Sequence, residues 1–323
     1  MNDEIMVSIC CSTYNHEKYL RKALNGVLMQ KVNFKYEILI GEDCSTDKSR
    51  DIIEKYVKKF PDIIKPFYRD KNRGALDNNI ELYDNAKGKY ITLLETDDFW
   101  INKKKLQKQV DFLENNPEYV AVTCGLYPVD KNGVILKNVI YPECKKRIYS
   151  HKDYRKWILP GQTSMMLYRN MKEIREHIKD EYMYKAHKYG PGDRMLLLTL
   201  FSLGKIYCLK EKMGAYRYIV DEGSSFSATN ELKYYDYMKA FYNLRRYVYK
   251  YDMDEEIKKS AEFMLFEAAT ASYLLQKSID LKTYLKIIKI NRYKVSSVYC
   301  FVRHSIQKTS EKVIDLLTGS IHI

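Results

Sequence analysis

The chain has 323 residues, enough for one large α/β domain with an appendage or for two domains, and at 46% apolar it can bury a sizeable core. Lysine and arginine number 55 against 42 acids, a net charge of +13, so its partners are expected to be anionic: nucleotide phosphates, a membrane surface or nucleic acid. It carries no low-complexity tract and no internal repeat, which excludes a repeat architecture.

Residues 5–11 form an apolar run closed by Ser12-Thr13-Tyr14-Asn15, which predicts a buried strand with a polar loop at its carboxyl end. Over 17–30, Tyr19, Leu20, Ala23, Leu24, Val27 and Leu28 fall at helical spacing. A second strand over 36–40 runs into Gly41-Glu42-Asp43-Cys44-Ser45-Thr46-Asp47, where Ser45 or Thr46 is placed to cap the next helix with Asp47 in its first turn. That helix holds Ile52, Ile53, Tyr56 and Val57 and ends by Pro61. A third strand over 63–68 is demoted by Pro66 to an edge position, and the loop to Gly74 leads into a helix over 75–86. The fourth strand, with Ile91, Leu93 and Leu94, ends in Glu95, Asp97 and Asp98.

A helix is predicted over 103–115, with Leu106, Val110 and Leu113 on one face, then strands over 119–129 and 134–141 around a turn at 130–133. Pro160-Gly161-Gln162-Thr163-Ser164 opens a strand over 165–168. Gly190-Pro191-Gly192-Asp193 precedes an apolar helix over 195–203, and two further strands are predicted over 205–209 and 213–220. Residues 221–230, rich in Ser, Gly and Glu, have the composition of a mobile flap, and from 231 onward the pattern is helical. The expected division is therefore 1–230 and 231–323.

Strands alternating with helices predict a mostly parallel, doubly wound sheet, in which ligands bind outside the carboxyl ends of the strands. The polar clusters at 13–15, 42–47, 72–74 and 95–98 would all lie on that edge. Glu95, Asp97 and Asp98 repel one another unless a cation sits among them, and Mg2+ or Mn2+ suits a place with one or two carboxylates and substrate phosphates. The alternative is a solvated acidic turn. Neither Gly-x-Gly-x-x-Gly nor Gly-x-x-x-x-Gly-Lys occurs, so a dinucleotide fold and a P-loop are unsupported.

Seven cysteines without a Cys-x-x-Cys pair predict reduced thiols and no disulfide framework. Met1-Asn2-Asp3-Glu4 lacks a signal-peptide pattern, and the longest apolar run, 195–203, is too short for a bilayer. A cytoplasmic protein is expected, peripheral to the inner face of the cell membrane. The six histidines show no metal spacing, and His177 and His187 read as surface residues.

Taken together, the motifs resemble those of inverting family 2 glycosyltransferases with a GT-A fold, of the bacterial type that builds capsular and cell-surface polysaccharides. Val7-Ser8-Ile9-Cys10-Cys11-Ser12-Thr13-Tyr14-Asn15 resembles the opening strand and its Pro-x-Tyr-Asn, with Ser12 for the proline. Glu42-Asp43-Cys44-Ser45-Thr46-Asp47 resembles Asp-Asp-x-Ser-x-Asp, Asn72-x-Gly74 the asparagine-glycine loop, and Glu95-x-Asp97-Asp98 the family's Asp-x-Asp-Asp. Gly192-Asp193 resembles the position of the catalytic base, and Tyr216-Arg217 a late Tyr-Arg-x-His whose histidine is absent here.

The resemblance covers about residues 5–225. It implies a GT-A, Rossmann-like α/β fold with an α-helical C-terminal region, and a donor site built from Thr13, Tyr14, Asn15, Glu42, Asp43, Asn72, Gly74, Glu95, Asp98 and Arg217. Asp97 would be the metal ligand for Mn2+ or Mg2+ and Asp193 the general base. The bland roles are a helix-start acid for Asp43, a helix cap for Asp193, core aromatics for Tyr14 and Trp100, and for Arg217 an ion pair with an acid such as Asp221. The implied activity is a hexosyltransferase moving a sugar from a UDP-sugar to a glycan or lipid-linked glycan. A nucleotidyltransferase is the enzymatic alternative, although it would show a glycine-rich loop near the amino terminus. A basic nucleic-acid-binding protein is the other, although no nucleic-acid module is present. Residues 282–312 carry eight basic residues against Glu311, and Leu281, Tyr284, Leu285 and Ile288 share a helical face. That pattern suits an anionic membrane surface, or packing on the catalytic domain or a second copy of the chain.

Overall fold

The computed structural model describes residues 4–137, 144, 146–155, 160–219, 234–274 and 276–292. Two compact units divide the chain: Met1–Asp180 with Gly192–Glu231, and Glu181–Pro191 with Leu232–Ile323. The short segment Glu181–Pro191 thus belongs with the second unit, where the sequence placed it in the first.

The first unit opens as alternating strands and helices: β1 (Ile5–Thr13), α1 (Leu20–Leu28), β2 (Lys35–Glu42), α2 (Ser49–Lys59), β3 (Ile64–Tyr68), α3 (Ala75–Asn85) and β4 (Tyr90–Glu95). The four strands lie parallel in the order β3-β2-β1-β4. Val7, Ile9, Cys10 and Cys11 on consecutive faces of β1 are all fully buried, as expected of a parallel strand covered on both sides. Pro66 sits in β3, the edge strand, where its missing N–H costs no ladder bond. Leu20, Ala23, Leu24 and Val27 form the inner face of α1, and Gly26 lets that helix approach the backbone of Trp100.

Beyond β4 the sheet is mixed. The chain continues through β5 (Phe99–Trp100), α4 (Lys105–Asn115), β6 (Tyr119–Val129), β7 (Ile148–Tyr149) and α5 (His151–Arg155). It then forms a 3-10 turn at Thr163–Met165, β8 (Leu167–Arg169) and α6 (Lys172–Lys179). After α7 (Glu181–Tyr189) in the second unit, α8 (Gly192–Leu203) and β9 (Lys205–Arg217) complete the first. The order runs on from β4 as β8-β6-β9-β5, with β8 antiparallel to both neighbours and β6 parallel to β9.

Several expectations differ from this arrangement. The two strands predicted over 205–220 are the single β9: its polar middle, Lys210-Glu211-Lys212, kinks with Lys210 at a φ of 52° while pairing to β6 resumes after a register shift. After Val129 only an isolated bridge to Ile135 forms among the described residues, and 138–141 of the predicted strand lie outside them. A 3-10 turn replaces the first residue of the strand predicted at 165. Cys144 and Cys208 form a disulfide, against the expectation of reduced thiols throughout. Their separation of 64 residues hides the pair from local spacing, and the pairing of β7 with β9 brings the two segments together. Cys10, Cys11, Cys44 and Cys124 are free. His177 and His187 are half-buried, not surface residues, and burial pushes the His187 imidazole down to about 4.

The second unit holds α7 with α9 (Tyr234–Lys250), α10 (Glu255–Leu274) and α11 (Leu281–Ile290). In α10, Ala261, Met264, Leu265 and Ala269 are fully buried, and Arg245 of α9 pairs with its buried Glu262 at 2.8 Å. No helix among the described residues is long and apolar enough to cross a membrane. The predicted flap over 221–230 and the tail from 293 lie outside the described residues.

Candidate active site

The strand registers bring the polar loops to one edge: Thr13 lies level with Glu42, and Ser12 with Glu95. The loop after β1 turns at Asn15, whose φ of 55° suits the short Asn side chain. Its Oδ1 accepts the Thr46 N–H at 2.8 Å, and its own N–H donates to Ser45 Oγ at 3.0 Å. Ser45 and Thr46 therefore tie two loops together, and it is Asp47 that accepts the Ser49 N–H at 2.8 Å at the start of α2. Thr13 is buried with its hydroxyl 3.0 Å from that of Thr96, and Tyr14 is half-buried beside it in sequence.

Glu42 is wholly buried; its carboxylate accepts the Ser45 N–H at 2.6 Å and the Arg50 Nε–H at 2.7 Å. Asp43, also buried, receives the Arg73 N–H on Oδ1 at 2.8 Å and the Gly74 N–H on Oδ2 at 2.9 Å. It thereby fixes the Asn72 loop, where Gly74 adopts a φ of 84° that a side chain would strain. Asn72 Oδ1 accepts the same Gly74 N–H at 3.0 Å.

The acidic end of β4 divides its three carboxylates. Asp98 points into the protein: Oδ1 accepts the Arg217 N–H and Oδ2 the Ser164 hydroxyl, both at 2.9 Å. Burial, and next the charge of Asp97, hold its carboxyl well above the usual range. Arg217 is likewise buried and clamps loop backbone, donating to the carbonyls of Asp97, Asp130 and Lys131 at 2.6–2.9 Å with its guanidinium over the Tyr19 ring. The alternative partner Asp221 lies outside the described residues. Trp100 is a core residue whose indole N–H donates to the Ser164 carbonyl at 2.9 Å.

Asp97 differs from these. Its Oδ1 is buried and has no hydrogen-bond partner among the described residues. A buried carboxylate oxygen left without a donor is costly unless a cation or ligand atom meets it. Glu95 is beside it; desolvation first, then the charges of Asp97 and Asp193, push its carboxyl up to about 8. Its side chain is exposed at the strand end, with those two acids as its charged neighbours. Asp193, in the first turn of α8, is thereby within electrostatic reach of Glu95. Asp193 Oδ1 accepts the Arg194 N–H at 2.8 Å, and the buried Tyr154 hydroxyl, donating to the Arg194 carbonyl at 3.0 Å, fixes that turn.

Among the described residues, no three His, Cys, Asp or Glu side chains converge as a self-sufficient metal cage. The residues fit instead a hard divalent ion held at Asp97 with Glu95 adjacent, completed by phosphate oxygens and water. His16 went unread in the sequence: its Nδ1 lies 2.8 Å from the Thr96 hydroxyl, and burial lowers its pKa while Asp97 and Asp47 oppose that. Its position next to the Tyr14-Asn15 motif was the available signal.

Residues 8–175 match the family described as Glycosyl transferase family 2. A Nostoc protein named an uncharacterized glycosyltransferase is 31% identical over 232 residues, covering 70% of this chain and 69% of that protein. A Bacillus subtilis protein named, provisionally, as the teichuronic acid biosynthesis glycosyltransferase TuaG is 35% identical over 108 residues, 33% of this chain and 42% of that one. Mycobacterium tuberculosis relatives are 37% identical over 123 residues, and the match spans only 35% of their length. The fold is that of the Staphylococcus aureus TarS fragment 1–349 solved with UDP-GlcNAc, with a TM-score of 0.60 at 17% identity over 88% of this chain and 80% of that one.

Proposed function

The chain belongs to glycosyl transferase family 2, and from that premise we propose that it moves a sugar from a UDP-sugar to a hydroxyl of a glycan or lipid-linked glycan, inverting the anomeric centre. The observation that carries the proposal is the orphaned, buried Oδ1 of Asp97 at the carboxyl edge of the sheet, beside Glu95, whose carboxyl the charge of Asp193 also raises. Cell-surface polysaccharide synthesis is the proposed setting, supported by the relative named for teichuronic acid synthesis and by the anion-seeking charge of +13.

Asp97, with Glu95 adjacent, would hold Mg2+ or Mn2+, which supplies positive charge against the departing nucleoside diphosphate when bound. Asp193 takes the proton of the acceptor hydroxyl as that oxygen attacks the anomeric carbon. The bond from that carbon to the diphosphate oxygen breaks with its electron pair leaving on the diphosphate. No covalent intermediate is required, so the paired carboxylates of a glycosidase are not expected. Tyr14 and Asn72 are the proposed nucleotide contacts, and the buried Thr13 and Asp43 would support them through Thr96 and the Arg73-Gly74 backbone. Asn15, Glu42, Asp98 and Arg217 would serve the donor by fixing the loops that surround it.

The test is calorimetric titration of UDP with and without Mn2+ into the wild type and Asp97→Ala. Metal-dependent binding is expected to vanish in the variant at an unchanged unfolding midpoint. An Asp97→Ala protein with the same Mn2+-dependent gain would overturn the assignment.

Membrane association is proposed for α11. Tyr284 of the predicted apolar stripe stacks on Tyr273 of α10 at 4.8 Å and so docks inward, next to Ile287, which is buried although it lay outside that stripe, whereas Ile288 of the stripe is only half-buried. Leu281 and Leu285 remain 52% and 54% exposed, alongside exposed Lys282, Lys286 and Lys289. That combination suits an anionic lipid surface.

A further inference from the structure

The outer face of α9 carries Tyr235, Lys239, Tyr242, Arg246 and Lys250, spaced so that they share one side of the helix over about 22 Å. The opposite side, with Phe241, Leu244 and Val248, is buried in the helical unit. Cations and rings on the outer face are interleaved with residues of α7. The Arg246 guanidinium lies 4.1 Å from the Tyr182 ring centre and donates to the Tyr182 hydroxyl at 2.7 Å. Lys250 lies over the same ring at 5.6 Å. Lys239 lies over Tyr189 at 4.3 Å and over Tyr235 at 4.7 Å, while also pairing with Asp236. Tyr235 and Tyr242 stay 43% and 41% exposed.

We propose that this tyrosine- and cation-lined face of α9 and α7 binds an anionic glycan chain. Phenolic hydroxyls suit sugar hydroxyls, and the guanidinium and ammonium groups suit carboxylate or phosphate substituents set at intervals along a polymer. Cation–π pairing fixes the long side chains before a ligand arrives, which lowers the ordering cost of binding. Nucleic acid is the poorer fit. Bases need open ring faces to stack on, and here cations already cover the faces of Tyr182, Tyr189 and Tyr235. The proposal concerns the second unit alone and is independent of the donor chemistry, so its failure would leave the transferase reading intact.

The experiment uses the full chain and fluorescence anisotropy at physiological salt. Three probes are compared: an oligogalacturonate, a neutral maltooligosaccharide of the same length, and single-stranded DNA of the same charge. The oligogalacturonate is expected to bind most tightly. Arg246→Gln combined with Lys250→Gln is expected to weaken it about tenfold, and Tyr242→Ser to weaken it separately. UDP binding and the unfolding midpoint should be unchanged in both proteins. The proposal is overturned by absent oligogalacturonate binding, by variants that bind like the wild type, or by DNA binding as tight or tighter. Self-association that the same substitutions abolish would overturn it too, by making the face an interface between copies.

Discussion

Asp193 and Asp98 are both acids of the proposed site, yet their surroundings differ. Asp98 accepts from Arg217 and Ser164 in the interior, so its carboxylate holds the acidic loop in place. Asp193 sits at the mouth of a helix, oriented by the Arg194 N–H, where an amide would retain the turn but not take a proton. Asp193→Asn is therefore expected to keep UDP affinity within about twofold and to lower turnover at least a hundredfold, the usual scale of a lost general base. Turnover near wild type would reduce Asp193 to a helix-start acid. Lys105 is a different case. It is fully buried with Gln109 Oε1 at 2.8 Å and the Trp100 ring at 4.0 Å, and desolvation pushes its ammonium down to about 8. Between that value and the ordinary lysine range the unfolded chain binds the extra proton, so stability should rise with pH from about 8 to 10. Urea unfolding across that range should show the rise in the wild type and lose it in Lys105→Met.

At the scale of elements, α1 and β5 are held at a distance that only glycine permits. A Cβ on Gly26 would stand 2.7 Å from the Trp100 carbonyl oxygen and 3.0 Å from its nitrogen, both backbone atoms that cannot swing aside. Gly26→Ala is expected to cost about 1–3 kcal/mol in urea unfolding even though alanine is the better helix former. A stabilised variant would show that the helix shifts freely. Nothing in the sequence marked Gly26, because its partner is 74 positions away in the chain. The strands of the parallel half were legible, since fully apolar runs ending in polar loops admit few other readings. The acidic cluster was legible as a place that needs a cation or solvent, but not the fact that, of its three acids, Asp97 keeps a buried oxygen without a hydrogen-bond partner among the described residues. The inward roles of Glu42, Asp98 and Arg217 were not, because Arg50, Ser164 and the loop carbonyls that engage them come from other elements, up to 120 positions distant. The kinked β9 was read as two strands because its charged middle mimics a turn, whereas the pairing to β6 resumes beyond it.

At the scale of the whole molecule, the net charge of +13 is unevenly placed, with +7 of it between 282 and 312. The described part of that stretch, α11, splits the predicted apolar stripe. Tyr284 serves the helical unit together with Ile287 from outside the stripe, and Leu281 and Leu285 are left facing solvent next to three lysines. Two exposed leucines alone would be an ordinary surface feature. With Lys282, Lys286 and Lys289 beside them they combine apolar insertion with attraction to anionic headgroups, at about 1 kcal/mol per basic residue near the surface. The full chain is expected to pellet with vesicles containing phosphatidylserine and to stay in solution with neutral vesicles. Raising the salt should weaken the attraction because the Debye length shrinks. Lys282→Glu, Lys286→Glu and Lys289→Glu together should abolish pelleting, and Leu281→Ser with Leu285→Ser should reduce it at low salt. Both proteins should keep UDP binding, since none of these residues belongs to the proposed donor site. Equal pelleting on neutral and anionic vesicles, or pelleting indifferent to all five substitutions, would refute a membrane role for α11 and leave its lysines as solvated charge.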